Sequence, residues 1–269
     1  MTAADDSDDP FAALRADLAA EVAALAAVVD PLANDVLRTP TPAEGWDIAD
    51  QLAHLAAFDE HGTTSMVDPD GFRAELAAVL DAGADPIAAA TDRGRLIGPA
   101  ATRGWWHNAS ASLAAAAAGV EPRQRLPWYG PDMGAMSFIT ARLMETWAHG
   151  QDVRDALGAA PEVSPRLRHV ADIGVRARRF SYAVRSMDLP DVPVRVELTA
   201  PDGGTWTWGD DGAPDLVTGP ALDFCLLVTQ RRHRDDLALT VTGSAAEEWV
   251  GIAQAFAGAP SGGRPRLAR

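Results

Sequence analysis

The sequence predicts an α+β protein of two domains, a four-helix bundle followed by a small α+β domain. Three observations predict it. Apolar residues recur at three- and four-residue spacing through most of residues 11–157. After Pro190 the pattern switches to period two in Val194-Arg195-Val196-Glu197-Leu198 and Thr205-Trp206-Thr207-Trp208, with Asp202-Gly203-Gly204 as the turn between them. At 269 residues, the chain is long enough to bury two cores.

Taken in order, residues 11–30 form a first helix closed by Pro31. Thr41-Pro42-Ala43-Glu44 has the form of a capping box, interrupted by Gly45-Trp46. Asp47 then offers an N-cap for a helix from about Ile48 to Glu60, with His54 in its middle. Weaker helical stretches cover Phe72–Leu80 and Pro86–Leu96. A further helix covers Ala100–Ala118 and is ended by Gly119 and Pro122. A Pro127-Trp128-Tyr129-Gly130-Pro131 loop leads into the long helix Met136–Leu157. Residues 166–187 read as one basic helix, followed by the strand pair, helical Ala221–Arg232, strand-like Leu237–Thr242 and helical Ala245–Phe256. The expected division is a bundle over 1–160, a connecting basic helix over 161–190, a small α+β domain over 191–260 and a flexible tail over 261–269.

Composition excludes several function classes. Net charge is −15, with 24 acidic against 10 basic groups in residues 1–160 and 14 against 13 in residues 161–269. Such a chain gains nothing from phosphate attraction, so no nucleic-acid partner is expected. The first ten residues are acidic and no apolar run approaches the length of a span, so neither a secretory signal nor a membrane segment is expected, and the protein reads as cytoplasmic. All 23 basic residues are Arg, beside abundant Ala, which is the mark of a GC-rich, actinobacterial-type coding sequence. The single cysteine, Cys225, excludes a disulfide framework, and its apolar neighbours mark it as an inert packing residue.

Glu145 and His149 stand four residues apart in the long helix, so their side chains share a face and can share one ion. His54, flanked by the small Ala53, Ala56 and Ala57, supplies a third donor from another helix. One carboxylate and two imidazoles suit zinc foremost, with nickel, iron or cobalt within reach of the same donors, and leave room for water or substrate. Asp152, three residues beyond His149, is a candidate to accept that imidazole's other N–H. His61 precedes Gly62 at the expected helix end and is expected to be exposed. Gly150, inside a helix, suggests a close approach of backbone or ligand. No nucleophile elbow, phosphate loop or dinucleotide fingerprint occurs, so water or an external thiol must be the activated group.

The residues Trp46-x7-His54-Leu55, Pro127-Trp128-x-Gly130-Pro131 and Glu145-x-Trp147-x-His149-Gly150-x-Asp152 resemble the mycothiol-dependent maleylpyruvate isomerase family, within the DinB-like group of metal-binding four-helix bundles. The resemblance covers nearly the whole chain and extends to a sterol-carrier-like C-terminal domain. It implies that His54, Glu145 and His149 bind Zn2+, and that the ion lowers the pKa of the mycothiol thiol. The thiolate would then attack a small-molecule electrophile, in cis–trans isomerisation of a maleylpyruvate-like substrate or in S-transfer. It further implies a C-terminal arginine near the thiol, either Arg231 or Arg232; the competing reading is a pair of cations favoured at a helix C-terminus. Trp128 and this pair are expected to line one cavity. The chain departs from the family pattern at Trp105-Trp106-His107, where many relatives carry a Trp-Arg pair. His107 thereby becomes a substrate-binding candidate and, with Asp152, a candidate general base for a metal-dependent hydrolase. A second reading is a non-catalytic protein for an apolar ligand, with a structural or vestigial metal site. Either a monomer or a homodimer is compatible with the sequence.

Overall fold

The computed structural model describes residues Asp9–Leu267, which divide into two compact units, 9–162 and 163–267. The first is helical: α1 (Pro10–Val29), α2 (Ile48–Val67), α3 (Pro69–Asp81), α4 (Pro86–Ile97), α5 (Pro99–Ala118) and α6 (Ala135–Leu157). A short antiparallel pair, β1 (Arg125–Leu126) and β2 (Met133–Gly134), precedes α6. Three of these helices begin with Asp-Pro. Asp9, Asp68 and Asp85 each accept a backbone N–H of the first turn, and the following proline presets the helical φ where its missing N–H is no loss.

Helix α2 is the centre of the unit and packs against α3, α4, α5 and α6. Leu52, Leu55, Ala53 and Ala56 are buried, as are Trp106 of α5 and Val153 of α6. Small residues let these helices approach. A Cβ on Gly94 would lie 2.6 Å from Ala53 Cβ, and one on Gly62 would lie 2.9 Å from Leu113 and Phe138. Gly62 is therefore a packing contact, and α2 runs past the expected end at Glu60 to Val67. Gly150, by contrast, has ordinary room; a Cβ there would meet Leu25 at 3.7 Å.

The start of α2 also differs from expectation. Thr41–Glu44 opens no helix, because Thr41 pairs with the carbonyl of Trp46 and Pro40 bridges to Asp47, folding the segment into a turn. The capping box is formed one step later, by Asp47 and Asp50.

The second unit contains α7 (Leu167–Arg176), α8 (Arg178–Ala183), a four-stranded sheet, α9 (Ala221–Val228) and α10 (Ser244–Ile252). The sheet comprises β3 (Val194–Thr199), β4 (Thr205–Trp208), β5 (Asp215–Pro220) and β6 (Thr240–Thr242) in the order β4-β3-β5-β6, with β3 and β5 parallel. The single basic helix expected over 166–187 is broken at Ala177, whose N–H closes α7 on Ile173 and Val175. Both pieces belong to this unit, since α7 packs on α9 with Gly174 against Val228. Within the described part of the expected tail, Leu267 N–H donates to Asp236, and Arg185 holds the Ser261 carbonyl. Among the described residues, no helix is long and apolar enough to cross a membrane.

Candidate metal centre

Helices α2 and α6 bring His54, Glu145 and His149 together, one donor atom from each lying within 4.8 Å of the others. His149 Nε2 is 3.2 Å and His54 Nε2 3.8 Å from Glu145 Oε2. Bonds of about 2.0–2.2 Å to a tetrahedral ion would space such donors roughly 3.3 Å apart, so small side-chain movements suffice to close on one. Both imidazoles are buried, whereas the Glu145 side chain is 22% exposed and opens the cluster on one side. Burial alone would raise the Glu145 pKa; hydrogen bonds and charge from His149 and His54 outweigh it and hold the carboxyl well below the usual carboxylate range. His54 Nδ1 is buried without a hydrogen-bond partner. Donor set and spacing fit a divalent ion.

The support around His149 comes from an unforeseen residue. Its Nδ1 donates to Oε1 of Gln51, a wholly buried residue of α2, so that an ion at the centre, taking the place of a proton on Nε2, would meet that nitrogen's lone pair. Gln51 Nε2 donates to Thr41 Oγ1 at 2.8 Å, and that hydroxyl donates to the Trp46 carbonyl at 3.0 Å. The turn ahead of α2 and the His149 imidazole are thus one hydrogen-bonded chain. The signal was available in the sequence: Gln51 stands three residues before His54 and so shares its face of α2. Asp152, expected in this role, is buried one turn beyond His149 on α6.

A second buried layer ties the same two helices. Arg142 of α6 donates from Nε and Nη2 to Asp59 Oδ1 of α2, at 2.9 and 2.8 Å, with both side chains at most 4% exposed. Burial raises the Asp59 pKa against the pull of Arg142.

Aromatic side chains wall the centre. Trp46 stacks on His149 at 6.0 Å between ring centroids, and Phe58 lies 4.5 Å from His54. Trp128, in the β1–β2 loop, is linked to the centre through Phe58, 6.3 Å away, and stacks on Phe72. His61 is not exposed as expected; it is half-buried, with Nδ1 2.7 Å from the Tyr129 hydroxyl. Burial lowers the His61 pKa and pushes that of Tyr129 up to about 12. His107 does not join the cluster, since its Nε2 meets Asp30 at 2.7 Å. Arg231 and Arg232 lie in the second unit just past α9, where Arg231 Nη1 donates to the Thr229 carbonyl and Arg232 Nη1 to that of Arg231. Cys225 is buried in α9 against the Leu167 carbonyl, and burial raises its thiol pKa well above the usual value.

Comparison with known proteins bears on the family and the fold. Residues 190–242 match a family model described as wyosine base formation. The chain is 44% identical over 257 residues to the uncharacterized protein Rv0036c of Mycobacterium tuberculosis H37Rv, covering 93% of this chain and 97% of the relative. The uncharacterized protein MT0041 of M. tuberculosis CDC 1551 matches equally. Among solved structures, the mycothiol-dependent maleylpyruvate isomerase superposes with a TM-score of 0.59 at 15% identity, covering 97% of this chain and 98% of that one; its histidine-to-alanine mutant gives 0.58. At that identity the likeness speaks for the fold. Residues 18–154, half of the chain, match the model described as mycothiol maleylpyruvate isomerase N-terminal domain, and the protein belongs to that family.

Proposed function

We propose that this protein is a zinc- and mycothiol-dependent enzyme that acts on an electrophilic small molecule, by isomerisation or S-transfer. The observation that carries the reading is the complete His54–Glu145–His149 donor set, open on the Glu145 side. An ion bound there would supply the positive charge that lowers a thiol pKa toward neutrality. The chain's own part is to hold the donors. Gln51 fixes the His149 tautomer, Glu145 stays ionised, and Trp46 and Phe58 limit water around the imidazoles. Cys225 is buried with a raised pKa, so an external thiol is the fitting nucleophile. Mycothiol, named in the family description, is therefore the thiol of choice.

The test is metal analysis of purified protein combined with spectrophotometric titration of added mycothiol. We expect close to one divalent ion per chain and a thiol pKa lowered in its presence. A metal-free protein, or an unshifted thiol titration with the ion bound, would refute the reading.

A further inference from the structure

We propose that the electrophile handled at this centre carries a flat, uncharged aromatic body, selected by Phe58 and Trp46. The inference rests on the enzymatic reading above and names the substrate class of the same site.

Both candidate ligand imidazoles are faced by aromatic rings. The Trp46 ring lies 19° from the plane of His149 and 5.5 Å from His54. Phe58, one turn beyond His54 on α2, has its ring 4.5 Å away. Trp46 and Phe58 are half-buried, as is Glu145, so each keeps accessible surface beside the centre. Aromatic surface continues past Phe58 to Tyr129 at 5.5 Å and Trp128 at 6.3 Å, both also half-buried. Behind them Phe72 and Phe138 are fully enclosed. The enclosed rings serve the core; the four half-buried ones form a shelf that starts at the metal ligands.

A molecule whose reacting carbon reaches the centre rests its remainder on this shelf. Offset and edge-on ring contacts reward a flat conjugated body over a flexible alkyl chain of equal area. At the far end, the Tyr129 hydroxyl and His61 Nδ1 form a polar pair that can meet a distal carbonyl or hydroxyl. The guanidinium nearest along α6, on Arg142, is bound to Asp59, so this shelf favours an uncharged aromatic body over a compact dianion.

The experiment uses the full chain loaded with zinc and no added thiol, so no turnover contributes. Isothermal titration compares benzylideneacetone, an uncharged aromatic enone, with maleate, an aliphatic dianion. We expect the enone to bind more tightly than maleate. We also expect Phe58→Leu, which keeps apolar bulk, and Trp46→Leu each to weaken it by about five-fold, with zinc content and helix content unchanged. Tighter binding of maleate by the wild-type chain would overturn the proposal. So would enone affinity that neither substitution alters. Failure of the enzymatic reading registers separately, in the mycothiol titration. Phe58-dependent enone binding by a chain that leaves the thiol pKa unshifted supports the aromatic site and overturns only the thiol chemistry.

Discussion

Gln51→Ala is the most searching single perturbation of the proposed centre. Gln51 is wholly buried and has two partners, His149 Nδ1 through its carbonyl and Thr41 Oγ1 through its amide nitrogen. Removing it takes the Gln51 acceptor away from the imidazole N–H, at a cost of about 1–3 kcal/mol. The neutral ring then gains no benefit from carrying its proton on Nδ1, and the tautomer with the proton on the metal-facing Nε2 competes. At about 1.4 kcal/mol per factor of ten, a loss of roughly 10–100-fold in zinc affinity follows, the range found for residues that orient metal-bound histidines. Competition against a chromogenic chelator measures the affinity, and circular dichroism confirms that α2 remains folded. Nitrogen NMR shifts of His149 report the tautomer directly. Zinc affinity unchanged within two-fold in a folded variant would refute the argument. A zinc-loaded wild type whose His149 carries no proton on Nδ1 would refute it equally.

The other expectations concern separate groups. His54→Ala and His149→Ala are each expected to empty the metal site with helix content kept; full metal occupancy in both would remove the ligand assignment. Cys225→Ala is expected to retain turnover and lose about 1–2 kcal/mol in denaturant unfolding, the scale of a small buried side chain; abolished turnover in a folded, metal-loaded variant would make the cysteine the nucleophile. Burial depresses the folded pKa of His61, so its contribution to stability is complete above the unfolded value of ~6.5 and is lost as pH falls below it toward the folded pKa. His61→Gln is expected to flatten the unfolding midpoint between about pH 6.5 and 5; an unchanged slope would show that Tyr129 does not depend on a neutral imidazole. Of Arg231→Ala and Arg232→Ala, one is expected to raise the KM for mycothiol with metal content intact, and two unaltered KM values would exclude both residues.

The helical unit was legible because its signals are local. Three–four periodicity needs no distant partner, and α1, α5 and α6 lie within one residue of their expected bounds, whereas the Asp68-Pro69 start of α3 was passed over. The Glu145–His149 pair was legible for the same reason, since one helix sets its geometry. What escaped depends on neighbours. β5 is six residues ending in Gly219-Pro220, two strand breakers, and is recruited as a central strand by pairing with β3 on one side and β6 on the other. The β1–β2 pair has two residues per strand, too few for any period to show. Gly62 reads as a helix end along the sequence, yet in three dimensions it is the space that Leu113 and Phe138 require. Gln51 was passed over because a glutamine in a helix has no special chemistry until an imidazole from α6 arrives beside it.

The Arg142–Asp59 bond has a consequence for how the proposed centre would acquire an ion. It joins the two ligand-bearing helices with protein groups alone, one layer away from the donors, and fixes their relative register before any ion arrives. The metal-free protein is then a folded receptor with its donors in place, unlike the small zinc domains that fold only around their metal. Loading becomes an ordinary reversible binding step, decided by the ions on offer and by competition with other chelators in the cell. The identity of the resident ion can therefore follow supply and growth conditions, and stripping and refilling the site with cobalt in vitro requires no refolding.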